Sequence, residues 1–354
     1  ATYGTLPTVT RSGYTLQGWN TASDGTGSTI AADTKVSITA TLKIYAKWSA
    51  NKYKVVFNGN GGTLTKTAAL DTNFSFIARY GTTYTVETYI TAVSRTGYTF
   101  GGFTFGGKAY QLDSTFSNLS IGENPSTADA SVTTTVTLKA SWTANKYTVV
   151  YDANGGTGTT ASSTHTYDVA KSLTANGFAK TGHSFAGWAT SATGSVAYAD
   201  EASVINLVTD PKSDGTSRFT LYAKWTANTY KITFNGNKPT NASASVTNVP
   251  ATMNVTYGGT IGTLGTPTLT GWSFFGWFDA ESNGSKVKSG DPYETASDIT
   301  LYAQWTANTY TVEYKGNGAT SGSTASSTHT YDVAKNLTAN GFAKTGHSFA
   351  GWAT

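Results

Sequence analysis

Four histidines are the side chains of this 354-residue chain best suited to hold a metal or move a proton near neutral pH. They form one pair present twice, His165 with His183 and His329 with His347. A metal centre needs three or four converging ligands. The chain has no Cys, and no acidic cluster flanks either pair. The histidines are therefore expected to be structural, and no metal or cofactor is expected. The glycine-rich run Asn58 to Gly62 has the backbone donors of a phosphate cradle. It lacks the Gly-Lys-Ser/Thr ending and the helix that follow such a loop, so a hairpin turn accounts for it better. Asp24 to Gly27 and Asp210 to Gly215 have the composition of turns and too few oxygen ligands for calcium. No Ser-His-Asp elbow is legible, and no carboxylate recurs at one place in every repeat, as a glycosidase pair should. The expectation is a non-enzymatic protein.

What does recur is aromatic. Trp48, Trp142, Trp225 and Trp305 each open a phrase Trp-(Ser/Thr)-Ala-Asn-(Lys/Thr)-Tyr, closed by Tyr53, Tyr147, Tyr230 and Tyr310. Gly-aromatic-x-(Leu/Phe)-x-Gly-(Trp/Phe) runs from Gly13, Gly97 and Gly271, with His in the second place from Gly182 and Gly346. His183 thus stands where Tyr14, Tyr98 and Trp272 stand, and is read as a replacement for an aromatic. A third phrase, Leu-x-Ala-x-Trp, ends at Trp142, Trp225 and Trp305, with the variant Ile44 to Trp48. These phrases divide the chain into partial modules at 1–50 and 308–354 and complete ones at 51–144, 145–227 and 228–307. Residues 161–190 match 325–354 with the single change Ser172 to Asn336, so a pair of modules is the duplicated unit. The chain is expected to be a window on a longer array.

The elements that carry these residues are strands. Tyr230, Ile232 and Phe234 alternate with Lys231, Thr233 and Asn235, the period-two pattern of a strand with one buried face. An Asn-Gly turn follows the equivalent strand at Asn154-Gly155. A Thr-Tyr-Gly or Thr-Tyr-Asp run comes later, at Thr256 to Gly258 and Thr166 to Asp168. Residues 168–176 are read as one or two helical turns. In the closing strand Leu221, Ala223 and Trp225 take the buried parity, with Tyr222 and Lys224 outward. Four residues between each closing Trp and the next Tyr are too few for a flexible linker. Trp48, Tyr53, Trp142, Tyr147, Trp225, Tyr230, Trp305 and Tyr310 are therefore the candidate joint residues, and a stiff rod with nearest-neighbour contacts is the expected form. Tyr45, Tyr222 and Tyr302, on the outward parity, are the candidates for a binding stripe.

The ordered trio Tyr230 to Asn237, Gly271 to Trp277 and Leu301 to Trp305 resembles the Listeria–Bacteroides repeat, a family that includes the B-repeat of internalin B. The resemblance extends over essentially the whole chain. It implies β-rich α+β architecture: small β-grasp-like modules, strands around a short helix, in tandem. It also implies a secreted or surface-anchored bacterial protein whose repeats act as spacers or in adhesion, and it carries over no catalytic residue. Two departures stand out. The modules are lengthened by Thr/Ser-rich segments such as 239–253, and Gly102-Phe103 replaces the usual Gly-Trp.

Composition narrows the partners. Charged residues are 12% and the formal charge is +4 with no basic run, which argues against nucleic acid. No apolar stretch approaches the ~20 residues of a membrane span. Aromatic residues at 13% argue against disorder. The leading expectation is an extracellular stalk, fibre or adhesin spacer. Its partners would be neighbouring modules of the same chain and, in a fibre, identical chains. The alternative is a glycan- or receptor-binding array facing host or matrix sugars. A stalk predicts that variation gathers in loops such as 114–130.

Overall fold

The computed structural model describes residues 1–119 and 134–354; most of the 114–130 loop lies outside the described residues. The chain is β-rich. Backbone contacts gather it into two compact units, 1–150 with 161–174 and 201–220, and 151–160 with 175–200 and 221–354.

In the first unit, Tyr14–Asn20 lies between Thr29–Ile30 and Tyr45–Ala50 in an antiparallel sheet. A five-stranded mixed sheet follows, in the order Lys108–Tyr110, Tyr98–Phe105, Thr135–Ala144, Lys52–Asn58, Ser75–Arg79. Thr135–Ala144 runs parallel to Lys52–Asn58, and the other pairs are antiparallel. Alternation in Lys52–Asn58 buries Tyr53, Val55 and Phe57. They meet Phe103, Leu138 and Ala140 in one core. Phe103, the departure from Gly-Trp, is fully buried edge-on to Phe57 and Phe100.

The second unit repeats the plan in the order Met253–Thr256, Thr229–Asn235, Ile299–Ala307, Trp272–Phe278, Lys286–Val287. Thr229–Asn235 and Ile299–Ala307 are again the parallel pair. Ile232, Phe234, Trp277, Leu301 and Ala303 form the centre of its core.

The helix expected within 168–176 is absent, and with it the α part of the α+β reading. Asp168 sits at φ 57, in the left-handed region where a helix cannot start, and Lys171–Ser172 pairs with Ser203–Val204 as a two-residue strand. A single 3-10 turn, Val86–Thr88, is the helical structure among the described residues.

Candidate functional site

The strands on either side of each module boundary are nearly continuous. Tyr45–Ala50 and Lys52–Asn58 are interrupted only at Asn51, and Thr135–Ala144 and Lys146–Asp152 only at Asn145. Asn228 and Asn308 take the same place later in the chain. Each Asn is the hub of a joint. Its N–H donates back to a glycine carbonyl of the preceding module: Asn51 to Gly13 (3.0 Å), Asn145 to Gly97 (2.8 Å), Asn228 to Gly182 (2.8 Å) and Asn308 to Gly271 (2.9 Å). Its own carbonyl accepts from a tyrosine N–H of the following module: Tyr80, Tyr167, Tyr257 and Tyr331, at 2.8–2.9 Å. Its side-chain Oδ1 accepts from a hydroxyl of the preceding module: Thr15 (2.6 Å), Thr99 (2.5 Å), Ser184 (2.6 Å) and Ser273 (2.6 Å). One residue therefore spends its amide, its carbonyl and its side chain on two neighbours.

Packing explains why the phrase begins with glycine. Gly13, Gly97, Gly182 and Gly271 have φ between 69 and 78. A Cβ on any of them would fall inside the ring of Tyr80, Tyr167, Tyr257 or Tyr331 respectively. Position two of the phrase then meets the same ring edge-on. Tyr14 packs on Tyr80 at 5.8 Å, Tyr98 on Tyr167 at 5.8 Å and His183 on Tyr257 at 5.5 Å. His183 thus does the packing of the aromatic whose place it takes. Arg11 and Arg95 lie over the rings of Tyr14 and Tyr98, at 4.0 and 3.8 Å from the ring centroids.

The closing tryptophans turn back onto their own modules. Trp142 Nε1 donates to Gly59 O at 2.9 Å, Trp225 to Ala153 O at 3.0 Å and Trp305 to Gly236 O at 2.9 Å. Each packs edge-on against a phenylalanine of the glycine phrase, Phe100, Phe185 or Phe274. Trp48 is half-buried opposite Leu16. Tyr53 and Tyr147 are fully buried, their hydroxyls accepting from Leu119 N (3.4 Å) and Leu207 N (3.3 Å). Tyr230 is half-buried near Tyr293, and Tyr310 is 51% exposed against His329. The contacts common to all four boundaries thus come from the glycine, the asparagine, a Ser or Thr hydroxyl and the joint tyrosine. The glycine and the asparagine stand in the recurring phrases, but the phrases alone do not show which residues they meet. The signal was the invariant Asn in every linker.

The turn after each opening strand is tied down as well. Asn60, Asn154 and Asn237, at φ 42 to 47, donate from Nδ2 to Ala140, Ala223 and Ala303 of the closing strand, each at 2.9 Å. On the outer faces Tyr45 is 38% exposed, while Tyr222 and Tyr302 are half-buried. The most exposed aromatic there is Phe275, 58% accessible and stacked on Phe278 with Lys286 Nζ above it. Simple alternation hid it because the strand bulges between Phe274 and Gly276.

His165 packs inside its module. It is fully buried and stacked on Tyr147, with Nε2 2.9 Å from Ser163 Oγ. No group of three or more metal-binding side chains occurs among the described residues. Burial, with a smaller push from Lys171, holds the His165 pKa below the ordinary histidine value. The folded chain therefore keeps the ring neutral where the unfolded chain, titrating near ~6.5, takes up a proton. Stability should be full above that value and fall as the pH drops below it. Denaturant midpoints between pH 8 and 5 check this: the acid side should flatten in His165→Gln, and an unaltered slope would contradict it.

The same phrases place the chain among known proteins. The model of the Listeria-Bacteroides repeat domain matches it five times, at 1–47, 53–119, 147–224, 230–304 and 310–354. The chain belongs to the Listeria-Bacteroides repeat family. Two proteins of Evansella cellulosilytica resemble it, each 30% identical. One, named a Gly-rich membrane protein, matches over 97% of this chain and 36% of its own length. The other, named a membrane protein, matches over 88% and 41%. Internalin H of Listeria monocytogenes is 32% identical over 46% of this chain and 25% of its own length. The chain thus spans well under half the length of these curated relatives. In this member of the repeat family, no helix of the described residues is long and apolar enough to cross a membrane.

Proposed function

We propose that this segment is a non-enzymatic spacer, a stalk of β-rich modules in a bacterial surface-exposed or secreted protein, and that the asparagine joint is its working part. The observation that carries this is the recurrence of one joint. Asn51, Asn145, Asn228 and Asn308 make the same three hydrogen bonds, and Gly13, Gly97, Gly182 and Gly271 the same tyrosine packing. A one-residue interruption between strands, bonded on both sides, leaves little freedom for a hinge. Such an arrangement holds distance and direction. Two of the modules share one plan, a mixed sheet in which the opening and closing strands lie side by side and parallel, without the helix of a β-grasp among the described residues. The surface placement rests on the family and on relatives named as membrane proteins and as an internalin.

Small-angle scattering from the full chain tests the reading. The expected profile is that of an extended particle one module thick. A compact profile, or that of freely jointed beads, would overturn it.

A further inference from the structure

We propose that the joints are of two kinds in alternation, one latched by a carboxylate and one left bare, so that compliance along the array has a two-module period. The inference rests on the spacer reading and adds to it. The hub is common to all four joints; the residue after the joint tyrosine is not. After Tyr167 and Tyr331 it is Asp168 and Asp332; after Tyr80 and Tyr257 it is Gly81 and Gly258.

Both aspartates reach back across the boundary to the aromatic in the second place of the glycine phrase. Tyr98 Oη donates to Asp168 Oδ2 at 2.9 Å. Trp272 Nε1 donates to Asp332 Oδ2 at 3.1 Å. Two different donors thus meet the same carboxylate position. Further bonds reinforce each latch. Asn206 Nδ2 holds the other oxygen of Asp168 at 2.7 Å, and Gly97 N donates to Asp210 Oδ1 at 2.8 Å. Ser243 donates to Asp332 from its N–H at 3.0 Å and its hydroxyl at 2.8 Å. A hydrogen bond to a charged acceptor is stronger than one between neutral groups.

The bare joints have no side chain with which to do this. Tyr14 Oη lies against the place where a side chain at Gly81 would begin, and a side chain at Gly258 would enter open space. His183, the partner aromatic at the third joint, turns its Nδ1 to Thr181 O of its own module instead. The period matches the duplicated pair, since Asp168 and Asp332 lie within the matching segments 161–190 and 325–354. The groups facing Asp168 are Asn206, Tyr98 and Arg95, and those facing Asp332 are Ser243, Trp272 and Lys238. All of them favour the ionised carboxylate, so the latches persist below the usual carboxylate range.

Hydrogen exchange on the full chain reads each joint separately, because every joint tyrosine N–H is bonded to a hub carbonyl. Protection at Tyr167 and Tyr331 should exceed that at Tyr80 and Tyr257 by about three- to tenfold, the scale of one partly screened charge-assisted bond. Asp168→Ala should lower Tyr167 towards the bare level and leave Tyr331 unchanged, and Asp332→Ala should do the reverse. Asp168 is exposed and Asp332 half-buried, and neither belongs to a core, so the variants should fold. Protection at the latched tyrosines no greater than at the bare ones, or no response to either substitution, would overturn the alternation. Scattering of the same variants separates this from the spacer reading, which requires only that the particle stay extended.

Discussion

Gly97→Ala should destabilise the joint between the 51–144 and 145–227 modules by about 2–5 kcal/mol. Two costs add. Gly97 has φ 77, and a left-handed backbone at a residue with a Cβ costs about 1–2 kcal/mol. The new methyl would also enter the Tyr167 ring, and overpacking of this kind costs about 1–3 kcal/mol. Tyr167 cannot simply retreat. Its N–H is held by Asn145 O, and its ring is packed edge-on by Tyr98. Gly106→Ala is the control. Gly106 also has positive φ, 56, but nothing lies within 4 Å of the place a Cβ would take. It should cost only the backbone part, about 1–2 kcal/mol. Denaturant unfolding of the two variants separates the terms. Equal losses would mean that the tyrosine does not fill the glycine's missing side chain.

Trp277→Ala should cost about 3–5 kcal/mol, the range for a large ring removed from a core. Trp277 is 2% exposed, with the rings of Phe234 and Phe274 at 4.9 and 5.5 Å. Its Nε1 donates to Gly265 O at 2.7 Å, so the substitution also removes a hydrogen bond. A small domain has about 5–15 kcal/mol in all, which makes this loss large enough to shift the unfolding midpoint well outside error. Phe275→Ala, two residues earlier and 58% exposed, should change stability by under about 0.5 kcal/mol. If the two variants unfold together, the assignment of the core face is wrong.

The core faces were legible from the sequence. Alternation marked Tyr53, Val55 and Phe57 as buried together, and they are. Leu221 and Ala223 are buried as their parity required. Trp225, on the same parity, is half-buried, and its indole N–H donates to the Ala153 carbonyl of its own module. Nearness in sequence to the boundary said nothing about which way that ring turns. The joint was harder for a related reason. Gly97 and Tyr167 stand 70 residues apart in different phrases. Periodicity reports the face of one strand, and the ring that fills a glycine's missing side chain leaves no periodic trace. The helix expected at 168–176 failed for a local reason. Asp168 adopts φ 57, its N–H is taken by Asn206 Oδ1, and the next residues pair as a short strand.

Each hub asks little of its neighbours beyond a main-chain carbonyl, a main-chain amide and a short hydroxyl. Any module that carries the hub asparagine and the joint tyrosine can therefore follow any module that carries the glycine phrase. Gene duplication can lengthen such a chain without new fitting at the seams. The near-identity of 161–190 and 325–354 is what recent copying of that kind leaves behind. The aspartate limits this freedom. It travels with one module, while the Tyr98 or Trp272 that serves it belongs to the module before. Copying single modules would part the two, whereas copying pairs keeps them together, so the inherited unit is the pair.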